Sequence, residues 1–351
     1  MSKKQLSNQR CYGLDILKTL CAFMVVCIHI PFFFGGMVII DQYIKNLSRI
    51  AVPIFFMITG FFYYDTVNAN RETKQIKKIL YIFIYANLLF FIFNMLIGVV
   101  KGDFVGEVKQ LINVHTLLQF VFFNVSPFSS HLWYLGAVLY VLLIVYFVNR
   151  CRNSIKILYI LTPFLLMADL IFGKYSLIFL KRDITHVFLV RNFLFVGLPY
   201  FCMGSIIRSI NDKGRLTIKR GFLLILIILF SVTSILEMHL LTLYNLSATR
   251  EHYISTTFLS ICVFVYFLLY FPHSNISCVG NKIAYIGKNC SAGIYIIHPM
   301  FVNIVLFLER YLKFLCWFGP IVVFILSLIT VVLYKFFIKN IRNNIKAVNS
   351  I

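Results

Sequence analysis

The chain has 351 residues, 60% of them hydrophobic and 13% charged, with a mean hydropathy of +0.88. Soluble domains run at about 45–50% apolar and about 25% charged, so these values exclude a water-soluble enzyme or binding module. The formal charge of +21 does not mark a nucleic-acid binder, because the basic residues collect in short segments between apolar runs.

Ten stretches are apolar and long enough to span a bilayer, at approximately 13–34, 44–64, 78–100, 131–149, 155–173, 189–208, 220–244, 254–271, 290–309 and 314–338. With the N-terminus placed inside, twenty-one Lys and Arg fall on that side and nine on the other, the nine being Lys101, Lys109, Lys174, Lys181, Arg182, Arg191, Arg250, Arg310 and Lys313. Lys18, Lys45 and Arg49 belong to neither side. The asymmetry predicts both termini in the cytoplasm and an all-α polytopic bundle of about ten transmembrane helices. Residues 1–351 read as one membrane domain without a cleaved signal peptide or an internal repeat. The nine cysteines are scattered, with Cys21, Cys27, Cys202, Cys262 and Cys316 inside apolar runs and no CxxC pair. They read as small buried hydrophobes, and no metal is expected.

The first span, LDILKTLCAFMVVCIHIPFFF at 14–34, carries Asp15, Lys18 and His29. Ionisable groups at membrane depth cost about 2.5–3.5 kcal/mol each on insertion scales and survive by facing protein or water. The eleven steps from Lys18 to His29 turn the helix by about 1100°, so both lie on one face about 16 Å apart. Asp15, three residues before Lys18, joins that stripe. An imidazole exchanges protons near neutral pH, which suits the deprotonation of a hydroxyl. A histidine simply hydrogen-bonded to a neighbouring helix stays open. Pro31 is expected to break this helix at its outer end.

In the second span, Arg49-Ile-Ala-Val-Pro53 leads into IFFMITGFFYY. Arg49 is expected to bind an anionic group of a substrate, with pairing to Asp15 or snorkelling as alternatives. Pro53 is expected to free a carbonyl, and Thr59-Gly60 to permit close helix packing. The inner loop at 71–78, RETKQIKK, brings Lys74, Lys77 and Lys78 to the entrance of the third span. They would suit the phosphates of an acyl-CoA or be ordinary cytoplasmic charge. The outer piece at 101–130 holds Leu117–Val125, too short to span and expected to lie in the interface or re-enter. His131-Leu-Trp133-Tyr134 opens the fourth span, where the aromatics would form an interfacial belt or stack on sugar rings. Glu237 and His239 are weaker candidates. In the ninth span Ser291 and Tyr295 stand seven and three residues before His298 on one face, a second polar stripe that could meet the first, and Pro299 would disturb its helix.

At these residues the chain resembles the acyltransferase family 3 membrane proteins, and the resemblance covers most of its length. The family's opening pattern is Leu14-Asp15-Ile16-Leu17-Lys18 followed by ten residues and His29. Its second-span pattern is Pro53-Ile-Phe55-Phe56-Met-Ile-Thr59-Gly60-Phe61, with threonine in place of serine, and its later elements are His131–Tyr134 and Ser291–His298. The resemblance implies transfer of an acyl group, most often acetyl from acetyl-CoA as co-substrate, to a hydroxyl of a cell-surface or lipid-linked polysaccharide at a bacterial plasma membrane. His29 would be the catalytic base, with Lys18, Asp15 and Arg49 around it. Lys18 stands where arginine is commoner. Lys74-x-x-Lys77 stands for an Arg-x-x-Arg pair and lacks its bidentate fork. His131, Trp133, Tyr134, Ser291, Tyr295 and His298 would contact the substrate. Some members carry an added esterase-like domain; here the membrane domain would complete the transfer alone. The chain also resembles the membrane halves of vancomycin-resistance serine racemases, which are associated with supplying serine. A transporter for serine or a similar small polar solute is therefore the alternative.

Overall fold

A computed structural model describes residues 11–32, 38–151, 155–184, 186–249, 251–271, 277–313 and 315–348. Lys3, Lys4, Arg10, Arg152 and Arg250 of the charge tally lie outside them. The helices are α1 (Tyr12–His29), α2 (Val38–Ser48), α3 (Ala51–Asn68), α4 (Glu72–Lys101), α5 (Phe104–Leu111), α6 (Val114–Phe123), α7 (Trp133–Arg150), α8 (Ile155–Phe172), α9 (Ser176–Phe179), α10 (Leu198–Asp212), α11 (Arg220–Leu243), α12 (Ile254–Tyr270), α13 (Cys278–Asn289), α14 (Ser291–Leu308) and α15 (Leu315–Val348). Among the described residues there is no strand. Nine helical segments there are long and apolar enough to cross a membrane, with α2 and α3 taken together as one; α12, the expected eighth span, has 17 residues. The chain is an all-α, multi-pass membrane protein, as its composition required.

Three boundaries differ from expectation. The first span ends at His29 rather than at 34, because Ile30 turns extended (φ −141°, ψ 126°) and the proline that follows disfavours helix at the residue before it. The second span is broken at Arg49 and Ile50. Pro53 thereby falls in the first turn of α3, where no backbone donor is needed, so it does not interrupt a helix as expected. The inner loop before the ninth span contains the helix α13, whose first turn is capped by Ser277 accepting from the Gly280 amide at 3.1 Å.

The helices sort into two compact units, one of Met1–Ala51 with Ile261–Ile351 and the other of Val52–Ser260. In the first unit, α1 crosses α13 backbone to backbone. A Cβ at Gly287 would stand 1.7 Å from the carbonyl oxygen of Asp15, so only glycine permits this approach. Thr19 Oγ1 ties the same crossing by donating to the Ile283 carbonyl at 2.7 Å. Farther along, Phe23 of α1 meets Phe324 of α15 edge to face, centroids 5.4 Å apart. The Lys335 ammonium on α15 donates to the Asn289 carbonyl at the end of α13.

In the second unit α3 and α10 cross through reciprocal glycines. A Cβ at Gly60 would lie 1.9 Å from the Phe201 carbonyl oxygen, and one at Gly204 would lie 1.9 Å from that of Met57. The close packing expected of Thr59-Gly60 is found, and Ser205 Oγ reinforces it by donating to the Gly60 carbonyl at 3.1 Å. Gly204→Val forces the helices apart. It is expected to destabilise the purified protein by about 1–3 kcal/mol or more, read as a lowered midpoint in a tryptophan-fluorescence melt; an unchanged midpoint would show that the crossing yields freely. At the helix ends Arg208 bridges Asp65 (2.9 Å) and Asp212 (3.1 Å).

The expected interfacial run at 117–125 is α6. Asn113 caps it in a reciprocal capping box with Thr116. Leu117, Leu118, Val121 and Phe122 are exposed, while Phe120 stacks on Phe83 of α4 with rings 8° from parallel. One face thus docks on the bundle and the other suits hydrocarbon.

Candidate active site

In the first unit α1 and α14 bring the two predicted polar stripes together. The rings of His29 and His298 meet with centroids 5.0 Å apart and planes tilted by 51°. His29 is the last residue of α1 and is exposed. His298 is 0% exposed. Its Nδ1–H donates to the Tyr295 carbonyl at 2.8 Å, with the Ile294 carbonyl at 3.2 Å. A carbonyl oxygen only accepts, so Nδ1 carries the proton and Nε2 holds the lone pair of the neutral ring.

The inner part of the stripe is a different object. Lys18 Nζ and Asp15 Oδ1 are 3.1 Å apart, the Asp15 side chain 7% exposed and that of Lys18 22%. Asp15 lies in the first turn of α1, where the helix dipole favours a carboxylate, and Gly287 packs on its backbone. The pair neutralises both charges beside the α1–α13 crossing. Of the other predicted residues in this unit, Ser291 donates its hydroxyl to the Gly287 carbonyl at 2.6 Å. The Tyr295 ring is buried with its centroid 6.1 Å from that of His298. Arg49 is half-buried at the turn between α2 and α3.

The remaining candidates belong to the second unit. Lys74, Lys77 and Lys78 are exposed on the first turns of α4. His131 and Trp133 are 4% and 7% exposed, so both side chains pack inside the second unit. His131 Nδ1 pairs with Ser129 Oγ at 2.7 Å, and its ring meets Phe90 at 4.9 Å. One face of Trp133 is covered by the Arg191 guanidinium, 5.3 Å from the ring centroid. Tyr134 is half-buried, edge to face with Phe56 at 4.8 Å. Glu237 accepts from the Ile254 and Ser255 amides at 3.3 and 3.2 Å and from the Ser255 hydroxyl. It caps α12, a sufficient reason for its presence.

One pair was missed in the sequence. Asp169 of α8 and His252 before α12 are 2% and 8% exposed, and Oδ2 lies 2.8 Å from Nδ1. Around them Lys174 donates to the Ala248 carbonyl at 2.8 Å, and Tyr200 and Thr257 share a hydrogen bond of 3.0 Å. The available signal was Asp169 itself, a carboxylate inside the fifth span.

Comparison with known proteins places the chain in a class. The acyltransferase domain of the acyltransferase-3 type matches residues 12–338, and the chain belongs to this family of membrane acyltransferases. It is also 32% identical over 138 residues to an amino-acid racemase of Enterococcus faecalis, covering 37% of this chain and 18% of that protein. A second amino-acid racemase of Enterococcus faecalis is 27% identical over 226 residues, or 59% of this chain and 29% of that one. A serine/alanine racemase of Enterococcus gallinarum is 26% identical over 235 residues, or 62% and 32%. The chain thus spans no more than about a third of the length of these relatives. No solved structure matches.

Proposed function

We propose that this membrane acyltransferase moves an acyl group, acetyl in the first instance, from cytoplasmic acyl-CoA to a hydroxyl of a surface or lipid-linked polysaccharide of a bacterial plasma membrane. The observation that carries the reading is the meeting of His29 with His298 in a chain of the acyltransferase family. His29 takes the proton of the acceptor hydroxyl as its oxygen attacks the thioester carbonyl. The carbon–sulfur bond then breaks, and the imidazolium returns the proton to the leaving CoA thiolate. Lys74, Lys77 and Lys78 are the proposed contacts for the CoA phosphates.

The test is acyl transfer in proteoliposomes holding the purified chain, labelled acetyl-CoA and candidate glycans. Label appearing on a glycan with release of free CoA supports the proposal; no binding and no turnover of acyl-CoA with any acceptor overturns it. The triple variant Lys74→Ala/Lys77→Ala/Lys78→Ala is expected to raise KM for acyl-CoA about tenfold or more with kcat within about threefold, the pattern of lost ground-state binding. A KM unchanged in that variant would return these lysines to ordinary cytoplasmic charge.

The similarity to racemases favours a second reading, a carrier for serine or a similar solute. It predicts uptake of labelled serine by the same vesicles without acyl-CoA.

A further inference from the structure

The sequence Tyr295-Ile-Ile-His298-Pro299 sits inside α14, with Pro299 in the helix interior. An α-helical amide donates to the carbonyl four residues earlier, so the amide of residue 299 would serve Tyr295. Proline has no amide hydrogen. The Tyr295 carbonyl is thereby released from the helix ladder, and it is the group that accepts from His298 Nδ1 at 2.8 Å. A buried acceptor has to be satisfied, and here the following proline and the preceding histidine satisfy that need together. The outcome is an imidazole with its proton fixed on Nδ1 and its basic Nε2 at the other end of the ring. His298 is 0% exposed, and the one imidazole described in ring contact with it is His29, at 5.0 Å between centroids.

We propose that His298 is a positioning residue for His29, its tautomer locked by the carbonyl that Pro299 frees. The proposal rests on the acyl-transfer reading for its kinetic consequence, and on the His29–His298 geometry alone for its spectroscopic one. When one ring nitrogen of His29 takes the acceptor's proton, the other ring N–H donates to Nε2 of His298. A histidine thus orients the base and stabilises its imidazolium, a task that carboxylates perform in many hydrolases. No proton is lost to His298; it accepts a hydrogen bond.

The experiment uses the full chain in lipid nanodiscs with 15N-labelled histidine. The ring signals of His29 and His298 are assigned from His29→Gln and His298→Gln among the eight histidines. The wild type is expected to show His298 as the Nδ1–H tautomer alone. Pro299→Ala restores the competing amide without deleting the imidazole. It is expected to mix the His298 tautomers, to shift the His29 ring nitrogens, and to lower kcat about tenfold with KM for acyl-CoA within about twofold. Between direct replacements, His298→Gln keeps an acceptor near Nε2 and is expected to retain about ten times more kcat than the isosteric but apolar His298→Leu. Unmoved His29 signals in Pro299→Ala overturn the proposal, as does equal loss in the Gln and Leu variants. A His29 shift in a wild-type background that never transfers acyl groups keeps the positioning and removes the acyltransferase chemistry instead.

Discussion

His29→Ala is expected to abolish acyl transfer and to leave the folded protein intact. The side chain is exposed at the last residue of α1, so its removal opens no cavity in the core. General-base assistance contributes about 10²–10⁴-fold, and the loss is expected in kcat rather than in KM, because a proton acceptor acts in the transition state and adds little to ground-state binding. Single-turnover transfer from labelled acetyl-CoA, with size-exclusion and melting profiles matched to wild type, measures it. Transfer at the normal rate by a folded His29→Ala protein would remove His29 from the chemistry. Lys18→Ala gives the informative contrast. Lys18 is about 16 Å from His29 along the helix and is engaged with Asp15, so its loss acts on the α1–α13 crossing before it acts on any reacting atom.

What could be read from the residues follows from how each signal is encoded. Helix existence rests on long apolar runs, and all ten runs became helices. The stripe on span one and the stripe on span nine were legible because 3.6-residue periodicity fixes which side chains share a face. Their meeting could be raised only as one possibility, since no local rule says which two faces will pack, and the structure shows it between His29 and His298. The first helix end was misplaced because apolar composition runs on past His29, and only the restriction that Pro31 places on Ile30 marks it; the break at 49–50 falls in the polar stretch Lys45-Asn46-Leu47-Ser48-Arg49, and Pro53 in the first turn of α3 suits a helix start there. The helix α13 hid among polar residues, although Gly287 is what lets α1 approach it. Trp133 and Tyr134 were read as a belt on residue type alone; their contacts with Arg191 and Phe56 come from partners remote in sequence. Asp169 and His252 are 83 residues apart, and a pair so distant leaves no spacing to detect.

That missed pair carries the second large effect. Asp169→Ala is expected to destabilise the protein strongly, by about 3–5 kcal/mol, because it breaks a buried pair by removing one member. His252→Ala is expected to do the same from the other side, leaving a carboxylate at 2% exposure with its closest donor gone. The cost arises from the orphaned partner, not from any special strength of the bond. The double replacement Asp169→Leu/His252→Leu removes both polar groups and fills the space. It is expected to cost clearly less than the sum of the singles, since exchanging a buried polar pair for apolar side chains is often neutral or better. Melting midpoints of the four proteins in one detergent complete the cycle. Additive losses would mean that the pair is not coupled and that Lys174, Tyr200 and Thr257 hold this part of the second unit by themselves. Sub-additive losses combined with undiminished acyl transfer in the double variant would assign Asp169 and His252 to architecture. Loss of transfer in a double variant as stable as wild type would instead make them a second functional centre, in the unit that holds neither His29 nor His298.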